Sequence, residues 1–162
     1  MSERVEGTLL MEDARIFSRN FTGKEGPYNR EGDRNFCLIL DTETALAMER
    51  DGWNIKNLRA REEGDVEQPF VQVSVSFRGR PPKVVMITSR GRTDLSEDEV
   101  ELLDWAEIKN LDLIIRPYNW EVNGKRGVKA YLKSIFVTLD EDALDLKYAD
   151  VPEADHPSME SP

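Results

Sequence analysis

Asn123-Gly124 stands between two long runs rich in β-branched and aromatic residues, and no other dipeptide in the chain constrains its fold as strongly. Both residues accept the positive φ that a two-residue type I′ turn needs, so residues 111–138 read as an antiparallel hairpin. So short a turn fixes the register: Val122 faces Lys125, Trp120 faces Gly127, Tyr118 faces Lys129, Arg116 faces Tyr131 and Ile114 faces Lys133. Side chains alternate along a strand. One face of the hairpin therefore carries Arg116, Tyr118, Trp120, Lys129, Tyr131 and Lys133, and the other carries Leu113, Ile115, Ala130 and Leu132. The second set is a core stripe. The first interleaves three rings with three cations, a combination that can stack on bases and neutralise phosphates. Tyr and Trp also favour strands for their own packing, but three cations on the same face point to function. Pro117 cannot donate to a ladder, which predicts an edge or a bulge there; a bulge would turn Arg116 to the other face.

The rest of the chain reads as short strands around two helical pieces. Residues 5–18 form one strand bent at Glu12-Asp13, where it changes sheet partners. Residues 19–33 are a polar loop, of a length that is usually functional or mobile. Its Arg19, Phe21, Lys24, Tyr28 and Arg30, with Arg34 just beyond, are candidate nucleic-acid contacts. Residues 35–40 read as a buried strand, with Cys37 a small core residue. Asp41 and Thr42 offer N-caps for a helix running to Arg50 and ended by Gly52. Residues 53–58 suggest another strand, and residues 59–68 a charged turn. Residues 69–76 and 83–89 read as a second hairpin joined by Arg78-Gly79-Arg80-Pro81-Pro82, with Arg90-Gly91-Arg92 after the return strand. Arg78, Arg80, Arg90 and Arg92 could follow a phosphate backbone without reading sequence. Ser96-Glu97-Asp98-Glu99 is a capping box ahead of Val100, Leu102, Leu103 and Trp105, and the helical spacing of Trp105 predicts a core position.

Length and composition narrow the function classes. A chain of 162 residues suits one domain with a real core. One cysteine excludes an internal disulfide, and one cysteine with one histidine, His156, cannot build a Cys/His zinc site. No apolar run approaches the length of a membrane span and no signal-peptide pattern follows Met1, so a cytoplasmic protein is expected. The net charge of −10 is unevenly spread. Residues 139–162 hold Asp140, Glu141, Asp142, Asp145, Asp150, Glu153, Asp155 and Glu160 against Lys147 alone, which leaves the other residues near balance. That is an interaction-tail pattern, and Pro, Ser and acids from Val151 onward predict disorder. The expected division is thus a DNA-binding domain at 1–139 and an acidic tail at 140–162. There is no phosphate-binding loop of the Walker type, no nucleophile–base set, and no cofactor motif. Acid pairs such as Asp13 with Asp112 carry no metal-site spacing.

A long bent first strand, a helix within the strand order and a closing hairpin suit a mainly β, OB-fold-like barrel of five to seven strands with one or two inserted short helices. Four stretches then carry a family resemblance: Glu6-Gly-Thr-Leu, Asn29-Arg-Glu-Gly-Asp-Arg-Asn-Phe, Val84-Val-Met-Ile-Thr-Ser and Ile115-Arg-Pro-Tyr-Asn-Trp-Glu-Val-Asn-Gly-Lys. They resemble single-stranded DNA-binding proteins of bacteriophages, loosely of the T7 type, over about residues 5–150. The resemblance implies an OB-fold that coats single-stranded DNA in phage replication, recombination and repair within the host cytoplasm. It also implies an acidic tail that contacts phage or host replication and recombination proteins and competes with DNA for the basic groove. The T7-type tail ends in an aromatic residue, whereas this sequence ends Glu160-Ser161-Pro162.

The expectation is a non-enzymatic, sequence-independent single-stranded DNA binder, with a homodimer left open. Its rivals are a replisome or virion adaptor that uses the aromatic face as an interface, a carboxylate metal nuclease, and an RNA binder, since stacking and phosphate contact do not distinguish the sugar.

Overall fold

The computed structural model describes residues 5–58 and 67–141. The order of elements is β1 (Leu9–Met11), β2 (Ile16–Asn20), β3 (Arg34–Ile39), α1 (Thr42–Arg50), β4 (Ile55–Leu58), β5 (Gln68–Val75), β6 (Lys83–Thr88), β7 (Gly91–Asp94), a 3-10 turn (Val100–Asp104), β8 (Ile108–Val122) and β9 (Lys125–Leu139). The protein is mainly β, as its sequence predicts. Strands beyond the expected five to seven arise because the bend splits β1 from β2, and because β7, Gly-Arg-Thr-Asp, is exposed throughout and carries no apolar signature. The expected charged turn falls largely on residues 59–66, and the expected acidic tail lies beyond Glu141, both outside the described residues.

The strands join in one sheet whose path runs β1-β8-β9-β5-β3-β2. Its two ends are the halves of the bent first strand. At the bend Asp13 has φ +51, its N–H donates to the Asp112 carboxylate at 2.9 Å, and the next N–H, of Ala14, donates to Leu111 O at 2.7 Å. β1 sets Leu10 opposite Ile114 of β8, and β2 sets Phe17 opposite Cys37 of β3. One strand that changes partners therefore ties the two edges of the sheet together, giving an OB-like barrel.

Period-two alternation fills the interior. Phe36 and Leu38 of β3, Val71, Val73 and Val75 of β5, Leu113 and Ile115 of β8, and Val128, Ala130 and Leu132 of β9 share one core. Helix α1 forms where its cap predicts. Asp41 accepts from the Thr44 N–H at 2.7 Å and from the Thr44 hydroxyl at 2.8 Å, and these bonds hold its carboxyl below the ordinary range. Cys37, expected in the core, is instead half-buried on the outer side of β3, because strand alternation turns it away from the inward Phe36 and Leu38 on either side. Burial raises its thiol pKa, with Lys56 pulling the other way, so it is no ready thiolate.

Two further expectations fail. β5 and β6 do not form a hairpin. Both run parallel to β9 along its one edge, β5 at Ala130 and Tyr131, β6 from Ser134 to Thr138. Pro81 and Pro82 have no N–H to give a ladder, so the chain leaves the sheet between them and arches over residues 76–82. The antiparallel partner of β6 is β7, across the turn Ser89-Arg90. The second failure is Trp105. Only the acid's half of the expected capping box forms: Glu99 accepts from the Ser96 N–H and hydroxyl at 2.9 Å each, and the Glu99 N–H goes to the Ser96 carbonyl at 3.0 Å instead of to its hydroxyl. The helix stops after one 3-10 turn, however, and Trp105 is left 72% exposed.

Candidate nucleic-acid interface

The long hairpin keeps its expected register from the turn outward. Asn123 and Gly124 have φ +51 and +81. Trp120 pairs with Gly127, Tyr118 with Lys129, Arg116 with Tyr131 and Ile115 with Leu132. There the register slips: Ile114 faces Ser134 instead of Lys133. The bulge sits between Ile114 and Ile115, two residues beyond Pro117, and leaves Lys133 exposed with Ser134 and Ile135 buried behind it. Pro117 stays in the ladder opposite Ala130. Counting alternate pairs from the turn, its nitrogen faces away from β9, so no bond to β9 is lost. Arg116 therefore keeps the predicted face.

That face is built around Tyr131. Its ring meets Tyr118 edge to face, with centroids 5.8 Å apart at 80°. The Arg116 guanidinium lies 4.9 Å from the Tyr131 centroid and Lys129 Nζ lies 5.1 Å from it. Trp120 lies across Gly127 so closely that a Cβ there would sit 2.5 Å from its Cζ2. Glycine is thus what lets the indole lie down on β9, a role invisible in the alternation pattern. Tyr118 is 52% exposed and Trp120 37%, so both rings can meet a partner from solvent. The opposite rim of the hairpin carries the Glu121–Arg126 ion pair at 3.2 Å.

The face continues sideways. Tyr131 is in register with Ser74 of β5, and Ser74 with Asn35 of β3, a row about 10 Å wide at ordinary strand spacing. Asn35 Nδ2 donates to Asn29 Oδ1 at 2.8 Å, which anchors the 21–33 loop at the end of that row. The loop is organised: the Asn29 amide donates to the carbonyls of Lys24, Arg30 and Asp33 at 2.9–3.1 Å. Its Lys24, Tyr28 and Arg30 are exposed. In the other direction the 76–82 arch brings Arg80 beside the Lys133 bulge. Arg80, Lys83, Arg116 and Lys133 line a groove of about 510 Å³. Arg78 is exposed on the same arch. Arg90 is exposed at the β6–β7 turn, and the Arg92 guanidinium lies 5.9 Å from the ring of Phe136.

Three candidates from the 19–34 stretch have other work. Phe21 is 0% exposed and stacks on Phe36 at 5.3 Å, so it is core and cannot meet a base. Arg19 donates to the carbonyls of Leu103 and Ala106 at 2.9 and 2.7 Å, closing the end of the 3-10 turn. Arg34 pairs with Glu97 at 3.0 Å and covers Phe77. These residues, with Asp104 accepting from the Phe21 and Thr22 N–H groups at 2.6 and 3.0 Å, hold the loop to the barrel. In the tail, Glu141 accepts from Ser89 N–H and hydroxyl at 2.9–3.1 Å, and Asp140 donates its N–H to Glu107 O at 2.8 Å. Asp142, Asp145, Asp150, Glu153, Asp155 and Glu160 lie outside the described residues. The Asp13–Asp112 pair has a structural task at the strand bend, and among the described residues no group of three His, Cys, Asp or Glu side chains could hold a metal.

A family model described as "Putative phage ssDNA-binding domain" matches residues 1–161. No curated protein sequence matches the chain. Among solved structures, the single-stranded DNA-binding protein of bacteriophage Enc34 is similar at 15% identity and TM-score 0.53, over 83% of this chain and 82% of that one. Its complex with single-stranded DNA scores 0.54 at 15% identity, over 83% and 87%. The bacteriophage T7 single-stranded DNA-binding protein is matched at 14% identity and TM-score 0.38, over 92% and 96%.

Proposed function

Since the chain belongs to the phage single-stranded DNA-binding family, we propose that it coats single-stranded DNA without sequence preference during phage replication, recombination and repair in the host cytoplasm, and that it catalyses no reaction. The observation that carries this reading is the Tyr131 cluster, a ring flanked by Tyr118, Arg116 and Lys129 on a solvent-facing sheet. Unpaired bases can reach such rings; bases stacked inside a duplex cannot. Arg116, Lys129 and Lys133 neutralise phosphates between the stacked bases, and Lys24, Arg30, Arg78 and Arg80 extend the track at either side.

A competition titration tests this. A dT oligonucleotide should displace labelled DNA, whereas duplex of equal length should not, and an RNA oligonucleotide measures what the 2′-OH contributes. Three phosphate contacts at the hairpin alone predict a log–log salt slope of about −2 or steeper; a flat salt response or equal competition by duplex contradicts the reading.

The acidic tail is proposed to compete with DNA for the basic face and to recruit replication proteins. Deleting residues 142–162 removes six acids and one lysine. DNA affinity should then rise at low salt and converge with that of the full chain at high salt. Equal affinity at low salt would leave the tail without a competing role.

Protein docking is a second activity that one observation favours, and it belongs to Trp105 instead of the aromatic face. Trp105 and Leu102 are exposed on a segment, residues 97–107, that carries six acids and no cation. Such a surface repels nucleic acid and suits a basic protein partner. Trp105→Ala should therefore leave DNA affinity within about twofold, because no attractive contact to a phosphate or base is lost. A tenfold loss in the same titration would move the binding face to the 3-10 turn.

A further inference from the structure

The hydrogen-bond register beside Pro117 shows how the basic groove is made. β1 pairs with β8 so that Leu9 faces Ile115. Carried two and four residues further, this register sets residue 7 opposite residue 117 and residue 5 opposite residue 119. The ladder is not formed at the first of these positions. Pro117 has no N–H to offer the neighbouring strand, and Gly7 takes φ +85, a conformation that lifts the chain off the edge and that a side chain would resist. At the second position contact resumes by other means. The Val5 N–H donates to Asn119 Oδ1 at 2.9 Å, and Asn119 Nδ2 donates to Val5 O at 2.8 Å. A side-chain amide thus replaces the missing peptide partner. Residues 6–8 span between these two fixed points and form one wall of the groove that holds Arg80, Lys83, Arg116 and Lys133. Glu6 is the acid on that wall, so four cations face one carboxylate and the groove favours an anion.

We propose that residues 5–8 are a strap, latched by Asn119, that encloses a seat for the phosphodiester backbone of single-stranded DNA beside the bases stacked on Tyr118 and Tyr131. The proposal rests on the single-stranded DNA reading above and adds two residues to it. Lys83 contacts a phosphate. Asn119 is a positioning residue that touches no DNA and keeps the wall closed. A strand seated there leaves only when the strap opens or the strand slides along its own axis, so the latch acts on dissociation and Lys83 on the salt dependence.

The test measures dissociation of the full chain from a dT oligonucleotide by stopped flow at several salt concentrations. Asn119→Ala breaks both bonds to Val5 and should speed dissociation on the order of tenfold, with a much smaller change in association. Lys83→Ala should make the log–log salt slope shallower by about 0.7. Lys83 is exposed on β6, so its variant remains informative where loss of the latch disturbs the hairpin. Tyr131→Ala is measured in parallel. Wild-type dissociation in Asn119→Ala and a wild-type slope in Lys83→Ala, while Tyr131→Ala weakens binding, would overturn the strap and leave the stacking face standing. Binding unaffected by Tyr131→Ala would overturn the reading on which the strap depends.

Discussion

Replacing Tyr118 and Tyr131 together by alanine is expected to weaken binding of a dT oligonucleotide by about 2–4 kcal/mol, roughly 30- to 700-fold, with little change in thermal stability. Each base–aromatic stack is worth about 1–3 kcal/mol by truncation. The two rings touch at 5.8 Å, so their effects should not add in full. Removing Tyr131 also leaves Arg116 and Lys129 without the ring that now flanks them at 4.9 and 5.1 Å, which frees two cations that were held in place for phosphates. Both tyrosines stand on the outer side of the sheet, away from the core stripe of Ile115, Ala130 and Leu132, and that is why the loss should fall on affinity. Equilibrium binding by fluorescence anisotropy, with a thermal melt of the same sample, separates the two. A loss under about threefold would mean that bases do not stack here.

The second large effect is on stability. Phe21→Ala should destabilise the fold by about 3–5 kcal/mol, the usual cost of emptying a site of this size. For a domain of this size that is on the order of 10–20 °C in Tm. Phe21 is fully buried and stacked on Phe36, and the backbone N–H groups at 21 and 22 are fixed to Asp104, so neighbours cannot easily close the cavity. Below its melting temperature the variant should bind single-stranded DNA with nearly the parent affinity. An unshifted melt combined with weaker DNA binding would place the ring at the interface after all.

How far the sequence discloses the structure depends on where each signal lies. The hairpin is legible because Asn123-Gly124 permits one turn geometry and a two-residue turn leaves one register. With the register come the shared face of Arg116, Tyr118 and Tyr131 and the core stripe behind it. The bulge at Lys133 is not legible, since it answers the join between β5 and β6 along β9, a tertiary circumstance with no local marker. The same join defeats the pairing of residues 69–76 with 83–89: two apolar runs and a polar connection describe a hairpin and a split parallel edge equally well. Phe21 misleads for a related reason. It begins a polar loop, and only the packing of that loop's base onto Phe36 makes it core. Trp105 errs the opposite way, because helical spacing predicts a core position only if the helix continues beyond one turn, and here it ends at Asp104. Asn119 is the least visible of all. Nothing in its neighbourhood marks it, yet the absence of an N–H at Pro117 gives its side chain a strand to hold. The bent first strand was legible in its polar pair Glu12-Asp13, and the closure of the sheet follows from it.

The central claim is that bases of single-stranded DNA lie against the outward rings of the β8–β9 hairpin. Photocrosslinking with an oligonucleotide that carries 5-bromodeoxyuridine, followed by peptide mapping, tests it most directly. The account predicts adducts on Tyr118, Trp120 or Tyr131, lost on competition with unlabelled dT oligonucleotide. Adducts confined to Trp105 or to the 21–33 loop, with none on the hairpin, would contradict it.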